Sequence, residues 1–409
     1  MIYALQNFLQ NQAWLNSAMN FILGGRLSAS SKPKFIATVS NTQNRFKYWI
    51  RAGVLTLLLI TLTLGMELAV WTRSAQALPA GNAITDGRAI LRYALPINNP
   101  AVRKLQTTLE DISTPLRISR NRLNVINPNL TQAERILTSK QKELLASVPS
   151  DRQQDAGLLI TQLQMGINQM RTDVEEQNRA GLWTKRAELL DMVGQLEELM
   201  VATFPFEIPD EYSNLPQLKG RATIAVETAQ GDMTLVVDGY SAPVTAGNFV
   251  DLVNRGFYNG LQFTRAEDSY VLQIGDPPGD AEGFIDPKTK QYRAIPLEVL
   301  AEGDKSPTYG ITLEDAGRYL DQPVLPFSSF GALGMARPGD EPNGGSSQFF
   351  FFLFEPELTP AGLNLLDGRY SIFGYVVEGK EVLEKLKAGD TITSAKVISG
   401  LDNLVEPAE

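Results

Sequence analysis

The sequence has 409 residues, no cysteine, no histidine and a formal net charge of −9 at pH 7. The missing residue types exclude disulfides, thiolate nucleophiles, Cys/His zinc sites and catalysis by a histidine acid or base. The negative charge argues against a nucleic-acid partner. Any chemistry must therefore use arginine, lysine, carboxylate, hydroxyl or amide groups, and a chain of this length has room for two domains.

The first part of the chain is basic and then strongly apolar. The run AGVLTLLLITLTLGM (52–66) follows several lysines and arginines, and a small-residue AQA tripeptide stands at 75–77. This order predicts a secretory signal over residues 1–77 with a long basic lead, cleaved after Ala77, and hence an exported protein. A retained membrane anchor is the alternative, although Glu67 in the apolar stretch argues against it.

Helical patterns fill residues 84–204. Asn99 stands before a proline in the manner of an N-cap, and TQAE (131–134) and SDRQ (150–153) fit capping boxes. In the segment 184–200 the apolar residues recur every three to four positions, which is typical of a helix with one apolar face. Together these patterns predict an α-helical bundle domain without a catalytic constellation of its own.

The methionines of this domain allow two interpretations. They are Met165, Met170, Met192 and Met200. Methionine fills irregular gaps in a core, and it also lines adaptable binding grooves. Both interpretations, core packing and a partner-binding groove, stay open at this point.

A proline-rich stretch at 205–220 predicts a linker, and from residue 221 the apolar period changes to two. The strand-like runs are TIAVET, GDMTLVVDG, LQFTRAE, YVLQIGD, GALGMA, SQFFFFLF and YSIFGYVV. The segment APVTAGNFVDLVNRG (242–256) between two of them predicts a helix. Many short strands with few helices predict a closed antiparallel β-barrel with short helices over residues 221–400, followed by a tail at 401–409.

Five segments of this half resemble the cyclophilins and occur in that family's order. They are APVTAGNF, FTRAEDSYVLQIGDP, GALGMAR, SSQFFFF and LLDGRYSIFGYVVEG. The resemblance extends from about residue 223 to residue 400 and implies an eight-stranded barrel with peptidyl-prolyl cis-trans isomerase activity. It implies neither a cofactor nor a metal site.

The order of a signal, a helical domain and a cyclophilin-like domain resembles the multidomain cyclophilins of the thylakoid lumen in plants and cyanobacteria. That resemblance implies an isomerase and chaperone of lumenal proteins that aids the assembly or maintenance of photosystem II. The implied partners are proline-containing protein segments, such as lumenal loops of photosystem II subunits. The export signal alone fits the periplasm equally well, and membrane contact is expected only through the signal or anchor segment.

The chemistry of prolyl isomerisation suits a chain without histidine or cysteine. The barrier to rotation of a peptide bond is about 18–20 kcal/mol, because the nitrogen lone pair is shared with the carbonyl group. A guanidinium that hydrogen bonds to the prolyl nitrogen draws the lone pair back and stabilises the twisted transition state. The reaction needs no nucleophile, metal or general base.

The resemblance assigns catalysis to Arg265, with Gln273 on the neighbouring strand orienting the guanidinium and the substrate carbonyl. The substrate-binding positions that it implies are Tyr270, Val271, Phe350, Leu366 and Met335 for the proline pocket, Ala336, Arg337 and Gln348 for the peptide groove, and Leu365 and Tyr370 beside the pocket. Without a resemblance, an arginine on a strand is most simply a solvated side chain.

Several of these positions depart from the family pattern. Thr264 and Tyr370 replace histidines, Tyr270 replaces Phe, Val271 replaces Met, Arg337 replaces Asn and Leu365 replaces Trp. Two functions therefore remain: an isomerase of exported proteins, or a peptide-binding assembly factor with weak or no catalysis. In the second case the helical domain is the partner site or a cover for the groove. A regulator that docks on a signalling enzyme is a third possibility.

Overall fold

The computed structural model describes residues 84–118, 122–354 and 364–407. The predicted signal, its cleavage site and the alternative anchor lie outside these ranges. Within them, each helix is too short or too polar to cross a membrane.

Seven α-helices make up the N-terminal part of the described chain. They are α1 (Gly87–Ala94), α2 (Pro100–Glu110), α3 (Ser113–Ile118), α4 (Asn127–Ser139), α5 (Gln141–Ala146), α6 (Gln153–Glu175) and α7 (Arg179–Leu199). The cap predicted at Asn99 is confirmed, because its side chain accepts hydrogen bonds from the backbone N–H groups of Ala101 and Val102. This bond partly satisfies the free N–H groups at the start of α2.

Both predicted capping boxes are wrong. The first lies inside α4, because Asn127 and Pro128 begin that helix four residues earlier. The second precedes α6, whose N-cap Arg152 makes no capping bond through its side chain. There the Gln153 side chain instead donates to the carbonyl oxygens of Leu145 and Val148. The capping-box pattern is short enough to occur in a helix interior as well as at a helix start.

The core of the bundle lies between α2, α4, α6 and α7. Leu105, Leu130, Leu163 and Val193, one from each of these helices, are fully buried. Met170 and Met200 belong to the same core, and Met192 packs against it. Core packing therefore explains three of the four methionines, whereas Met165 on α6 is 67% exposed.

The C-terminal part is built on antiparallel strands. The strands are β1 (Gln217–Leu218), β2 (Arg221–Thr228), β3 (Gly231–Asp238), β4 (Arg265–Glu267), β5 (Val271–Ile274), β6 (Glu298–Val299), β7 (Thr308–Tyr309), β8 (Ala332–Met335), β9 (Phe349–Phe352), β10 (Ile372–Glu378), β11 (Ile392–Ser399) and β12 (Leu404–Val405), and the helices are α8 (Pro243–Asn254) and α9 (Lys380–Leu383). The main sheet has eight strands in the order β11-β2-β3-β10-β8-β9-β5-β4. One face of this sheet packs on α8, which is buried along nearly its whole length.

The predicted closed barrel is not confirmed. The sheet curls, but β4 and β11 at its ends share no ladder of paired residues. Just before these two strands the chain forms an isolated antiparallel bridge between Gln262 and Thr391. Backbone hydrogen bonds from Ile392 to Leu261 and from Phe263 to Asp390 flank this bridge, but they do not extend into a ladder between β4 and β11, so the sheet stays open.

The linker and tail predicted from sequence contain regular structure. Gln217–Leu218, at the end of the proline-rich stretch, forms β1 and pairs with β12. Strand β12 itself lies in the predicted tail, at Leu404–Val405. These two segments pack beside α8 and tie the ends of the C-terminal part together.

Buried charges join the helical part to the sheet. The Arg221 guanidinium, at the start of β2, contacts Glu198 of α7 at 3.0 Å and Asp238 of β3 at 2.9 Å. It also donates to the carbonyl oxygen of Leu91 on α1. One arginine thus contacts two helices and two strands. Because its side chain is nearly completely buried, its positive charge needs these partners to offset the cost of removing it from water.

A second buried carboxylate lies at the same junction. Glu197 of α7 is fully buried, and the nearest Arg103 nitrogen is 3.2 Å from its Oε1 atom, while Oε2 has no hydrogen-bond partner. Burial raises the pKa of Glu197 to about 8, although the positive charges of Arg103, Arg92 and Arg221 act in the opposite direction. Folding therefore favours the protonated form of Glu197 at higher pH than in an unfolded chain.

Candidate functional site

The sheet register aligns the predicted catalytic residues in one row. Arg265 on β4 pairs with Gln273 on β5, which pairs with Phe350 on β9. Phe350 in turn pairs with Gly334 on β8. Residues that pair directly across strands project from the same face of a sheet, so the arginine, the amide and the aromatic ring share one surface.

The glycine in this row makes room for the aromatic ring. A Cβ atom at Gly334 would lie 2.5 Å from Cζ of Phe350. Only glycine therefore lets the Phe350 ring lie flat over β8.

Arg265 is held by a carboxylate on its own strand. Its Nε donates to Oε1 of Glu267 at 2.7 Å, and its Nη2 lies 2.6 Å from the same oxygen. The two side chains are 49% and 48% exposed, so the guanidinium lies at the surface of the groove with water access. The expectation that Gln273 orients Arg265 has no support in the described hydrogen bonds.

The two glutamines of the site bind each other instead. Gln273 donates through Nε2 to Oε1 of Gln348 at 2.7 Å. Gln348 in turn donates to the carbonyl oxygen of Glu282 at 2.8 Å and to Asp276 at 3.3 Å. This chain of bonds uses both N–H donors and the oxygen of the Gln348 amide, and it leaves Oε1 of Gln273, which pairs with Arg265, for a peptide backbone.

The predicted pocket residues Val271 and Phe350 lie in one apolar cluster on the same side of the sheet. Phe350 stacks on Phe327 with ring centroids 5.8 Å apart, and Tyr370 meets it edge-on at 5.5 Å. Leu366 packs against the same cluster. These side chains form an apolar cluster beside Gln273, in which Val271 and Phe350 are themselves only 5% and 6% exposed.

Of four other predicted residues, Tyr270 and Ala336 contact this cluster. Tyr270 is 39% exposed with its ring centroid 6.4 Å from that of Phe352, Ala336 packs on the cluster, and Leu365 is 86% exposed. Met335 belongs to the other cluster, on the face of the sheet that packs on α8, so it does not line the groove.

Arg337 forms a wall rather than an open binding position. Its guanidinium lies 5.1 Å from the ring centroid of Tyr370. It donates to the carbonyl oxygens of Arg369, Pro338 and Gly339. The stacked guanidinium and ring therefore connect two loops at one end of the groove.

Two carboxylates, the partly buried Asp367 and the fully buried Glu298, hold the loops that flank the site. Asp367 accepts hydrogen bonds from the backbone N–H groups of Phe327 and Asn364, and burial raises the pKa of Asp367 to about 6 against these bonds. Glu298 accepts from Val244 and Thr245 at the start of α8. Burial raises its pKa to about 7, although these bonds favour the ionised form.

Sequence reasoning missed Glu267 and Phe327. Glu267 carried a usable signal, because residues two apart on a strand face the same side and the sequence reads Arg-Ala-Glu. Phe327 gave none, since it lies far from Phe350 in the chain and its contact depends on the loop path. The described residues contain no cluster of acidic side chains suited to a metal ion.

Comparisons with known proteins agree with this geometry. Residues 223–402 match a family model described as cyclophilin type peptidyl-prolyl cis-trans isomerase/CLD. Residues 86–201 match one described as the PsbQ-like domain of CYP38-like peptidyl-prolyl cis-trans isomerases. A protein of Synechocystis sp., whose name places it in the thylakoid lumen as a peptidyl-prolyl cis-trans isomerase, is 54% identical over 362 residues, covering 87% of this chain and 95% of that protein.

Two plant proteins are also similar. The chloroplastic peptidyl-prolyl cis-trans isomerase CYP38 of Arabidopsis thaliana is 45% identical over 338 residues, covering 80% of this chain and 77% of that protein. The chloroplastic isomerase CYP37 of the same organism is 34% identical over 346 residues, covering 79% of this chain and 71% of that protein.

Proposed function

The chain belongs to the cyclophilin-type peptidyl-prolyl cis-trans isomerases, and we propose that it isomerises X–Pro bonds in proteins of the thylakoid lumen. The observation that supports this most directly is the row of Arg265, Gln273 and Phe350 across three adjacent strands. The row combines a cation, an amide and an apolar surface, which are the three parts that the reaction needs. The lumenal location rests on the names of the similar proteins.

The residues of the row have separate roles in the proposed mechanism. The prolyl ring contacts the edge of the apolar cluster that contains Phe350 and Val271, beside Gln273. The Arg265 guanidinium, with N–H groups that do not bind Glu267, donates to the prolyl nitrogen as the bond twists. Gln273, held by Gln348, binds the peptide backbone through its Oε1 atom. Positive charge placed at the developing lone pair lowers the barrier without any proton transfer.

The proposed clients are proline-containing segments of lumenal proteins, including loops of photosystem II subunits. Support comes from the PsbQ-like description of the helical domain and from the lumenal and chloroplastic names of the relatives. A chaperone role in photosystem II assembly or maintenance follows as part of the same proposal.

Exchange NMR on a short X–Pro peptide tests the isomerase. The protein without residues 1–77 is compared with the Arg265→Ala variant, and the expected loss of rate is about 100-fold or more. Arg369→Ala is the matched control, because Arg369 is equally exposed but pairs with Glu314 outside the row. A wild-type protein that leaves the exchange rate unchanged would refute the isomerase.

A peptide-binding assembly factor is the second candidate function. The pairing of Arg265 with Glu267 favours it, because a neutralised guanidinium still binds a backbone but polarises the prolyl nitrogen less. Titration of labelled peptide separates the two functions. An assembly factor binds the peptide, binds it more weakly in Arg265→Ala and shows no exchange in any variant, whereas an isomerase accelerates exchange and loses that acceleration in Arg265→Ala.

A further inference from the structure

Glu267 is the charged side chain that the described structure places directly on Arg265. Both residues stand on β4, two positions apart, and so on the same face of the sheet. Their partners across the strand are Val271 for Glu267 and Gln273 for Arg265. The carboxylate therefore lies on the groove side, next to an apolar pocket residue.

The geometry of the pair limits what the guanidinium can do. A guanidinium has five N–H donors in a planar fork. One carboxylate oxygen of Glu267 takes the Nε donor and an Nη2 donor, at 2.7 and 2.6 Å. The remaining donors stay available, but the negative charge reduces the positive potential that a prolyl nitrogen would meet beside Arg265.

In the described ranges, the hydrogen bonds and ion pairs of the Glu267 carboxylate all go to Arg265. Gln273, which the resemblance to cyclophilins implies as the residue that orients Arg265, donates to Gln348 instead. The described hydrogen bonds and ion pairs of the Arg265 side chain all go to Glu267. Its orientation and its effective charge thus depend on one carboxylate that is itself half exposed.

We propose that Glu267 is a positioning residue that fixes the plane of the Arg265 guanidinium and at the same time attenuates its catalytic charge. This inference rests on the proposed isomerase function. Exposed ion pairs of this kind are weak, so a bound peptide can compete with the carboxylate for the guanidinium. Glu267 therefore lowers the rate of isomerisation in the groove without abolishing it.

Two substitutions separate the two parts of this role. Glu267→Gln keeps a carbonyl acceptor of the same shape for the Nε donor and removes the negative charge. We therefore expect kcat/KM to rise about threefold, through a higher kcat and an unchanged KM. Glu267→Ala removes both the acceptor and the charge, so its kcat/KM should fall below that of Glu267→Gln. The control Asp268→Asn changes the formal charge equally at the next residue, which bonds to neither Arg265 nor Gln273 in the described structure, and should leave the rate unchanged.

Nitrogen NMR of arginine side chains tests the pair independently of activity. In the protein without residues 1–77, the Nε–H resonance of Arg265, assigned by its absence in Arg265→Ala, should move in Glu267→Gln and stay in place in Asp268→Asn. An Nε–H resonance that does not respond to Glu267→Gln overturns the proposal, as does a kcat/KM at or below the wild-type value in that variant. If no variant accelerates exchange while the resonance moves as expected, the isomerase function fails and the ion pair stands.

Discussion

The junction between the helices and the sheet uses the same arginine–carboxylate chemistry as the groove, in the opposite surroundings. Arg221 and Asp238 at the junction are almost completely buried, whereas Arg265 and Glu267 in the groove are each about half exposed. A buried charge that loses its partner is very costly, while an exposed pair contributes little to stability. The ion pairs of the junction therefore hold one fixed arrangement. In the groove, a bound peptide can compete with Glu267 for the Arg265 guanidinium.

The largest effect expected from this contrast is at Arg221. Replacing Arg221 with alanine leaves the fully buried Asp238 without its cation and removes the link to Glu198. We expect the free energy of unfolding to fall by about 3–5 kcal/mol. Urea unfolding measures this change, and Arg265→Ala in the groove should lower the same quantity by less than about 1 kcal/mol. Equal losses in the two variants would contradict the contrast.

Glu197 should make the stability of the junction depend on pH. A carboxyl group whose pKa is raised on folding stabilises the folded state at low pH, and this contribution is lost as pH rises towards the folded pKa of about 8. Between pH 5 and pH 8 the wild type should therefore lose on the order of 3 kcal/mol relative to Glu197→Gln, which cannot ionise. Urea unfolding of both proteins at the two pH values checks this. A constant difference between them would show that Glu197 does not titrate in this range.

A pair of helix glycines tests the packing of α1 on the sheet. A Cβ atom at Gly87 would lie 2.7 Å from Cβ of Tyr375 on β10, an atom close to the backbone that cannot move aside freely. Gly87→Ala should therefore lower the free energy of unfolding by about 1–3 kcal/mol. Gly157 of α6 has open space around the same position, so Gly157→Ala should raise it by about 0.5–1 kcal/mol. Thermal unfolding of both variants gives the two signs.

The sequence predicted the groove better than it predicted element boundaries. Arg265 and Gln273 were expected on neighbouring strands, and the register pairs them directly, because a short turn between two strands leaves few possible alignments. The start of α4 was misplaced, since Asn127–Pro128 and Thr131 both fit a helix start and only packing decides between them.

Long-range features were beyond sequence reasoning. The closed barrel failed at the edge between β4 and β11, where pairing depends on how far two distant segments stay side by side. The Phe327–Phe350 stack and the position of Met335 on the opposite face likewise depend on tertiary packing. Local patterns identify the residue types of a site, and the fold decides which of them meet.

A double-mutant cycle of prolyl exchange rates tests the central claim. The claim is that the Arg265 charge accelerates the reaction and that Glu267 reduces this acceleration. The four proteins are the wild type, Arg265→Ala, Glu267→Gln and the double variant, each without residues 1–77. We predict that Glu267→Gln accelerates exchange about threefold when Arg265 is present and has no effect when it is absent. An equal acceleration in both backgrounds, or a wild-type rate in Arg265→Ala, would contradict the account.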